Sequence, residues 1–167
     1  MAVAGKLRKI VSGGQTGVDR AALDWALAGG VPCGGWCPLG RWAEDGPIDA
    51  RYPLRETPDV KPALRTEWNV RDSDGTLIVT LAGRITGGTL LTDNLAKRLS
   101  RPLLHLSEAD GSAAEQAELL RRFIEQNEIS TLNVAGPRES EEPGVGRFVA
   151  GLLEAAFGQL RCRTKIN

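Results

Sequence analysis

The chain has 167 residues, 41% of them hydrophobic and 25% charged, with Lys plus Arg and Asp plus Glu equal at 21 each. This is the size and make-up of one globular domain with a sizeable core, so a single domain over residues 1–167 is expected. A net charge of zero argues against a broad basic surface for nucleic acid, and no apolar run approaches the ~20 residues a membrane span needs.

Met1 to Lys9 lacks the apolar stretch of a signal peptide. Cys33, Cys37 and Cys162 make an odd count of three, which without such a signal reads as reduced thiols in a cytoplasmic protein. No second Cys pair or His lies near Cys33 and Cys37, so no metal site is expected. Gly is frequent, 20 of 167 against an average near 7%, and the glycines fall between apolar runs, as turn residues do.

The first predicted element is a strand over Leu7–Ser12. Gly13-Gly14-Gln15-Thr16-Gly17 breaks it, and Val18, Ala21, Ala22, Trp25 and Ala26 then follow helical spacing. Gly29-Gly30 stops that helix, and Val31–Trp36 reads as a second strand. Pro38 to Pro62 is irregular, with Pro47, Pro53 and Pro58 inside it and little periodicity; so long a loop tends to be functional or disordered. Within it lie Arg41, Glu44 and Asp45, and Trp36 and Trp42 are placed to flank a flat ligand, although an exposed surface loop fits the composition better.

Ala63–Arg71 suits a short helix. Thr76–Leu81 is apolar and β-branched, as a central parallel strand is. Gly83–Thr89 is a second glycine-rich turn, followed by a helix over Leu90–Leu99 and a strand over Pro102–Leu106. Ala113–Gln126 is an amphipathic helix with Leu119, Leu120, Phe123 and Ile124 on its apolar face. Thr131–Ala135 is the last strand, Gly136–Gly146 a polar loop and Val145–Leu160 the closing helix. Strands alternating with helices predict an α/β fold, a Rossmann-like three-layer α/β/α arrangement on a mainly parallel sheet.

Ligands of such sheets bind outside the carboxyl ends of the strands, and three loops qualify. In the first, Gly13, Gly14 and Gly17 let the backbone approach a ligand, Gln15 and Thr16 can hydrogen-bond it, and Asp19 can cap the helix or orient Arg20. The helix start itself favours an anion. In the second, Thr86, Gly87, Gly88 and Thr89 place two glycines between two hydroxyls before a helix, which suits phosphate. In the third, Gly136 and Pro137 shape the turn, while Arg138 and Ser140 can bind an oxyanion. Each loop also reads as a plain turn; their coincidence at strand ends is what points to a site. His105, the single histidine, lies in an apolar strand and reads as a core residue, so no catalytic residue is assigned.

At these loops the sequence resembles the molybdenum cofactor carrier proteins. The residues are SGGQTGVDRAALDWA (12–26), GWCPLGRWAEDGPI (35–48), RTEWNVRDSDGTLIV (65–79), TGGT (86–89) and NVAGPRES (133–140), and the likeness runs from about Lys9 to near Leu160. It carries over to Gly14, Gln15, Thr16 and Gly17, to Gly87, Gly88 and Thr89, and to Gly136, Pro137 and Ser140. Leu39 stands where many relatives have a basic residue.

The resemblance implies a Rossmann-like fold related to the lysine-decarboxylase-like phosphoribohydrolases. It implies binding, storage or carriage of molybdenum cofactor, a pterin with a terminal phosphate and a molybdenum dithiolene, or of molybdate or another oxyanion. A homo-oligomer and molybdoenzymes as cofactor recipients fit that role. The alternatives are a nucleotide-processing enzyme and a nucleotide-sensing module. The phosphoribohydrolase signature PGGxGTxxE places glutamates after its Thr; here Thr89 is followed by Leu90, Leu91 and Thr92, with Asp93 beyond. This counts against that chemistry, with Asp19, Asp93 and Glu139 as the carboxylates left to replace it.

Overall fold

The computed structural model describes residues 7–163, with side chains described through residue 160; the Cys162 side chain and residues 1–6 of the start read for a signal peptide lie outside what is described. The elements run in the order β1 (Lys9–Val11), α1 (Val18–Gly29), β2 (Cys33–Gly34), β3 (Trp36–Cys37), β4 (Trp42–Ala43), β5 (Gly46–Pro47), β6 (Arg55–Glu56), α2 (Pro62–Arg71), β7 (Gly75–Thr80), α3 (Gly87–Arg98), β8 (Leu103–Ser107), α4 (Ala113–Gln126), β9 (Thr131–Ala135) and α5 (Val145–Arg163). A 3₁₀ turn at Glu108–Asp110 precedes α4.

Five strands form one all-parallel sheet in the order β2-β1-β9-β7-β8. β7 is buried along its whole length, as a β-branched strand covered on both faces should be. Helices α1, α4 and α5 pack together on one face and α2 with α3 on the other, which makes the Rossmann-like three-layer α/β/α fold. The main core lies under α1, α4 and α5, around Ile10, Leu77, Leu120, Leu132, Leu152 and Phe157. A smaller one, Val70, Leu95 and Ala96, lies between α2 and α3. Among the described residues no helix is long and apolar enough to cross a membrane.

Local chemistry sets most boundaries. Pro62 opens α2, where its missing N–H has no cost. Ser112 and Glu115 form a reciprocal capping box at the start of α4. On α4 the buried side chains are Gln116, Ala117, Leu120, Phe123 and Ile124, and Leu119, predicted on the apolar face, is half exposed. Gln116 takes the inner position because its amide nitrogen donates to the Ser107 and Gly111 carbonyls.

Two further expectations change. The strand predicted over Val31–Trp36 ends at Gly34, because Gly35, at φ +127°, turns the chain into a separate two-stranded sheet of β3 and β6. The irregular stretch from Pro38 to Pro62 is ordered. β4 and β5 form an antiparallel hairpin, and Ile48, Tyr52 and Leu54 bury against Leu23 and Cys37.

Arg41 organises this excursion from within. Its guanidinium donates to the carbonyls of Ile48 (3.0 Å), Leu54 (3.1 Å), Asp49 (2.8 Å) and Tyr52 (3.0 Å). Backbone acceptors that would otherwise need water or a strand are satisfied by one side chain. Removing it orphans several carbonyls at once. Arg41→Ala should therefore lower stability by about 1–3 kcal/mol, the usual cost of an acceptor left unmatched. Amide exchange in 41–56 should rise more than exchange in β7; equal exchange in both proteins would contradict the role given to Arg41.

Candidate functional site

The strand order decides where a site can form. The chain passes from β1 outward to β2, crosses to β7, passes outward to β8 and returns to the middle as β9. The carboxyl ends of β1, β9 and β7 are therefore neighbours, and the three glycine-rich loops leave from them side by side. A cleft open to solvent lies there.

The floor of the cleft is the end of β9: Asn133, Ala135 and Gly136. Asn133 is buried and its amide nitrogen donates to Thr76 Oγ1 on β7 at 3.2 Å. Gly13, Gln15 and Asp19 form one wall. Gly88, Thr89 and Thr92 from α3 form another, with Arg65 and Asn69 from α2 beside them. Arg138 and Glu141 stand at the mouth.

The first turn of α3 is chemically open. Thr86 is its N-cap but supplies no side-chain cap; the Thr89 and Leu90 N–H groups return to the Thr86 carbonyl at 3.1 and 3.2 Å, which leaves the Gly87 and Gly88 N–H groups and the partial positive charge of the helix start. The helix predicted from Leu90 starts at Gly87, because the glycine pair itself forms the first turn. Gly88 and Thr89 line the cleft; Thr86 and Gly87 lie just outside it.

The first loop divides its residues between two tasks. Gly13, Gln15 and Asp19 face the cleft, whereas Gly14, Thr16, Gly17 and Arg20 serve packing. At Gly17, φ is +78° and a Cβ would come within 2.5 Å of the Pro137 carbonyl oxygen and 2.6 Å of the Glu139 nitrogen. Only glycine lets the first and third loops touch, and the Val18 N–H donates to that Pro137 carbonyl at 3.3 Å. Arg20 pairs with Asp45 and donates to the Gly14 carbonyl.

Glu44, at the tip of the β4–β5 hairpin, ties the same loops together. Its carboxylate accepts from the Thr16 hydroxyl, from the Ser140 hydroxyl at 2.5 Å and from the Ser140 N–H at 3.4 Å. Gln15 Oε1 accepts from both the Thr16 and the Glu44 N–H groups at 3.0 Å. The hydroxyls of Thr16 and Ser140 are thus occupied by an internal carboxylate, outside the cleft. The Ser140 and Thr16 hydroxyls hold the Glu44 carboxyl below its ordinary pKa.

Asp19 differs. It is 8% exposed, and burial pushes its carboxyl above the ordinary range, with the Arg65 charge and the Gln15 N–H pulling it back. Arg65 is equally buried and donates to the Gly13 carbonyl at 2.7 Å.

Sequence reasoning missed Arg65, Asn69, Thr92, Asn133 and Glu141. The one signal was polarity in an apolar context: Asn133 interrupts a strand otherwise suited to the core. Of the carboxylates put forward for hydrolysis, Asp19 lines the cleft and the other two do not. Asp93 pairs with Lys97 at 2.5 Å, and Glu139 accepts the Gly144 and Gly146 N–H groups at the start of α5. His105 is half buried, with Nε2 2.8 Å from the Thr80 hydroxyl. Trp36 packs edge-on against Trp68 at 4.7 Å and Trp42 is exposed; neither lines the cleft. Among the described residues no group of His, Cys, Asp and Glu is placed to hold a metal ion.

Fold and cleft together define a Rossmann-like α/β domain with a ligand-sized site at its central strand ends. The chain belongs to the circularly permutated YpsA SLOG family, whose model matches residues 10–157. The central place of β9, last in the chain, accords with a permuted order. The chain is also similar to the "Putative molybdenum carrier protein" of Syntrophus aciditrophicus SB. The two are 42% identical with a TM-score of 0.89, over 90% of this chain and 95% of that one. No curated protein matches the chain.

The Glu44 latch makes a pH prediction. A carboxylate with a lowered folded pKa stabilises above its unfolded value, about 4.3, and loses that contribution as pH falls through the folded value. Exchange in 42–47, normalised for intrinsic rate, should stay slow at pH 5 and quicken in stronger acid. In Glu44→Ala it should be fast throughout. Unchanged protection in the alanine variant would remove the latch.

Proposed function

We propose that the protein binds a small ligand carrying phosphate or a related oxyanion, and that it stores or carries that ligand. The observation behind this reading is the cleft wall formed by the uncapped start of α3, with the Arg138 guanidinium at the mouth. Backbone N–H groups, a helix dipole, a buried hydroxyl at Thr89 and an arginine form a donor set suited to a tetrahedral oxyanion. The cleft offers no histidine and no nucleophile paired with a base, which suits containment and release. The similar Syntrophus protein carries the designation of molybdenum carrier, which supports molybdenum cofactor, with its terminal phosphate, or molybdate as the cargo. Passage of the cargo to molybdoenzymes belongs to this reading, as does assembly into a homo-oligomer.

The residues assigned are Gly88, Thr89 and Arg138 to the anion, with Gly13, Gln15, Asp19 and Gly136 shaping the opposite wall and floor. Gly17, Pro137, Thr16, Arg20 and Ser140 act by holding the loops, and Thr86 and Gly87 by presenting α3. Calorimetry with phosphate, molybdate and purified cofactor tests the assignment. A charge-assisted hydrogen bond contributes about 1.5–3 kcal/mol, and 1.4 kcal/mol is a factor of ten. Arg138→Ala and Thr89→Val should each weaken binding about tenfold or more, with Tm little changed. Wild-type affinity in both variants, or no binding of any of these anions to the native protein, would refute the reading.

Hydrolysis of nucleoside monophosphates is the competing chemistry. It needs a positioned carboxylate to stabilise a cationic sugar or activate water, and Leu91 lines the cleft while Asp93 is held by Lys97. Adenosine and guanosine monophosphates should remain intact with the protein. Steady release of free base, abolished in Asp19→Asn, would make the protein an enzyme.

A further inference from the structure

The sheet is covered by three helices on one face and by two on the other. Ile10 belongs to the core under α1, α4 and α5, so its neighbour Lys9 points to the opposite face. On that face α2 packs against α3 and β3, and the small sheet of β3 and β6 stands beside it. A cavity of about 320 Å³, open to solvent, lies between the small sheet and the face of β1 and β2. That volume suits a small ligand.

Strand register aims its walls. Lys9 is the partner of Thr131 across β1 and β9, and Trp36 is the partner of Arg55 across β3 and β6. Register partners carry their side chains on one face. One wall therefore presents an ammonium beside a hydroxyl, the other a guanidinium beside an indole, and all four residues line the cavity. Gly34 leaves room for the lysine: a Cβ there would lie 3.4 Å from Lys9 Cε and 3.6 Å from Nζ.

The charges around this cavity do not cancel. Among the described residues neither Lys9 nor Arg55 is in an ion pair. Asp72, the one carboxylate on the described lining, pairs with Arg71 at 2.7 Å and accepts from Trp36 Nε1 at 2.8 Å. The Arg55 guanidinium carbon lies 5.8 Å from the Trp36 ring centroid, a contact that uses none of its N–H donors. Two cations facing one space repel each other, and an anion between them replaces repulsion by attraction. Asn69 borders both this cavity and the central cleft. Its amide accepts from the Trp36 N–H at 2.8 Å and donates to the Trp36 carbonyl at 2.9 Å, so it forms a partition between the two spaces.

We propose that this cavity is a second ligand site, separate from the central cleft, for a small organic dianion, a dicarboxylate or a phosphomonoester. Lys9 and Thr131 hold it from one side and Arg55 from the other. Two negative charges match the two cations that lack a counter-charge. The proposal does not depend on what the central cleft carries.

The test varies charge on one skeleton. Succinate, succinamate and succinamide share a four-carbon chain and carry two, one and no negative charges; methyl phosphate supplies the phosphomonoester arm, at a pH above its second pKa of about 6. Titrations at low salt, followed by amide and indole NMR, should rank the three in order of charge. The shifts should centre on the Trp36 indole N–H and the amides of Gly34, Gly35 and Arg55. Whichever of succinate and methyl phosphate binds more tightly names the ligand class. Lys9 and Arg55 are exposed, so Lys9→Gln and Arg55→Gln should keep the fold. Each should weaken binding about threefold or more, as loss of a partly screened charge contact does, whereas Arg138→Ala should leave succinate binding unchanged. Equal affinity for succinate and succinamide would overturn the proposal, as would binding that survives in the double variant. Shifts at Gly88 and Thr89 with none at Trp36 would place the dianion in the central cleft and overturn it as well. The wild-type titration alone can refute the site, so the proposal does not hang on any variant.

Discussion

β9 pairs in parallel with β1 on one side and β7 on the other, with Ile10 opposite Leu132 and Leu77 opposite Val134. The last strand of the chain thereby closes the middle of the sheet. Without it β1 and β7 would have no shared neighbour, and the loops after them would lack the intervening third. Parallel pairing also forces each return to cross a face of the sheet as a helix. Every carboxyl end therefore points the same way, and every following helix starts at that rim. Three helix starts and three loop turns meet there as a consequence of topology, before any side chain is considered.

That convergence creates an electrostatic problem, which the chain handles differently at each helix. At α5 Glu139 covers the N–H groups of Gly144 and Gly146. At α1 the N-cap Gly17 has no side-chain cap, but the Asp19 carboxylate lies in the first turn and accepts from the Gln15 N–H just before the helix. At α3 no side chain covers the start. Two of the three helix starts at this rim are thus supplied with an acidic side chain from within, and the third is left to whatever enters the cleft. The difference among otherwise similar helices is what gives the site a direction.

The sequence made the frame readable because strands and helices have different periods. β7, β9 and α4 stood out by apolar continuity or by 3.6-residue spacing, and their alternation led to the three-layer fold. The three loops were readable as turns placed at strand ends. Their division of labour was not. Whether Thr16 or Thr89 faces the cleft depends on a hairpin 28 residues away from Thr16 along the chain, whose Glu44 takes the Thr16 hydroxyl. Arg65 and Asn69 come from a helix with no unusual pattern, and only its docking against the β1 loop aims them inward. The stretch from Pro38 to Pro62 was opaque for a related reason. Its order comes from Arg41 reaching four carbonyls, a long-range satisfaction of backbone groups that leaves no period in the sequence.

Glu44 shows how such a fold can hold donor-rich loops in shape without a ligand. Thr16 and Ser140 carry donors suited to an anion, and a carboxylate on the chain's own hairpin meets them. An internal anion of this kind suffers little loss of translational freedom when it binds, because the hairpin already carries it; an external one loses that freedom in full. The donors at the loop junction are therefore committed to structure, and the loops keep their geometry with the cleft open. Gly88, Arg138 and Asp19 are left lining the cleft itself. The site is defined by subtraction: the polar groups the fold does not consume are the ones left facing the space where three strands end.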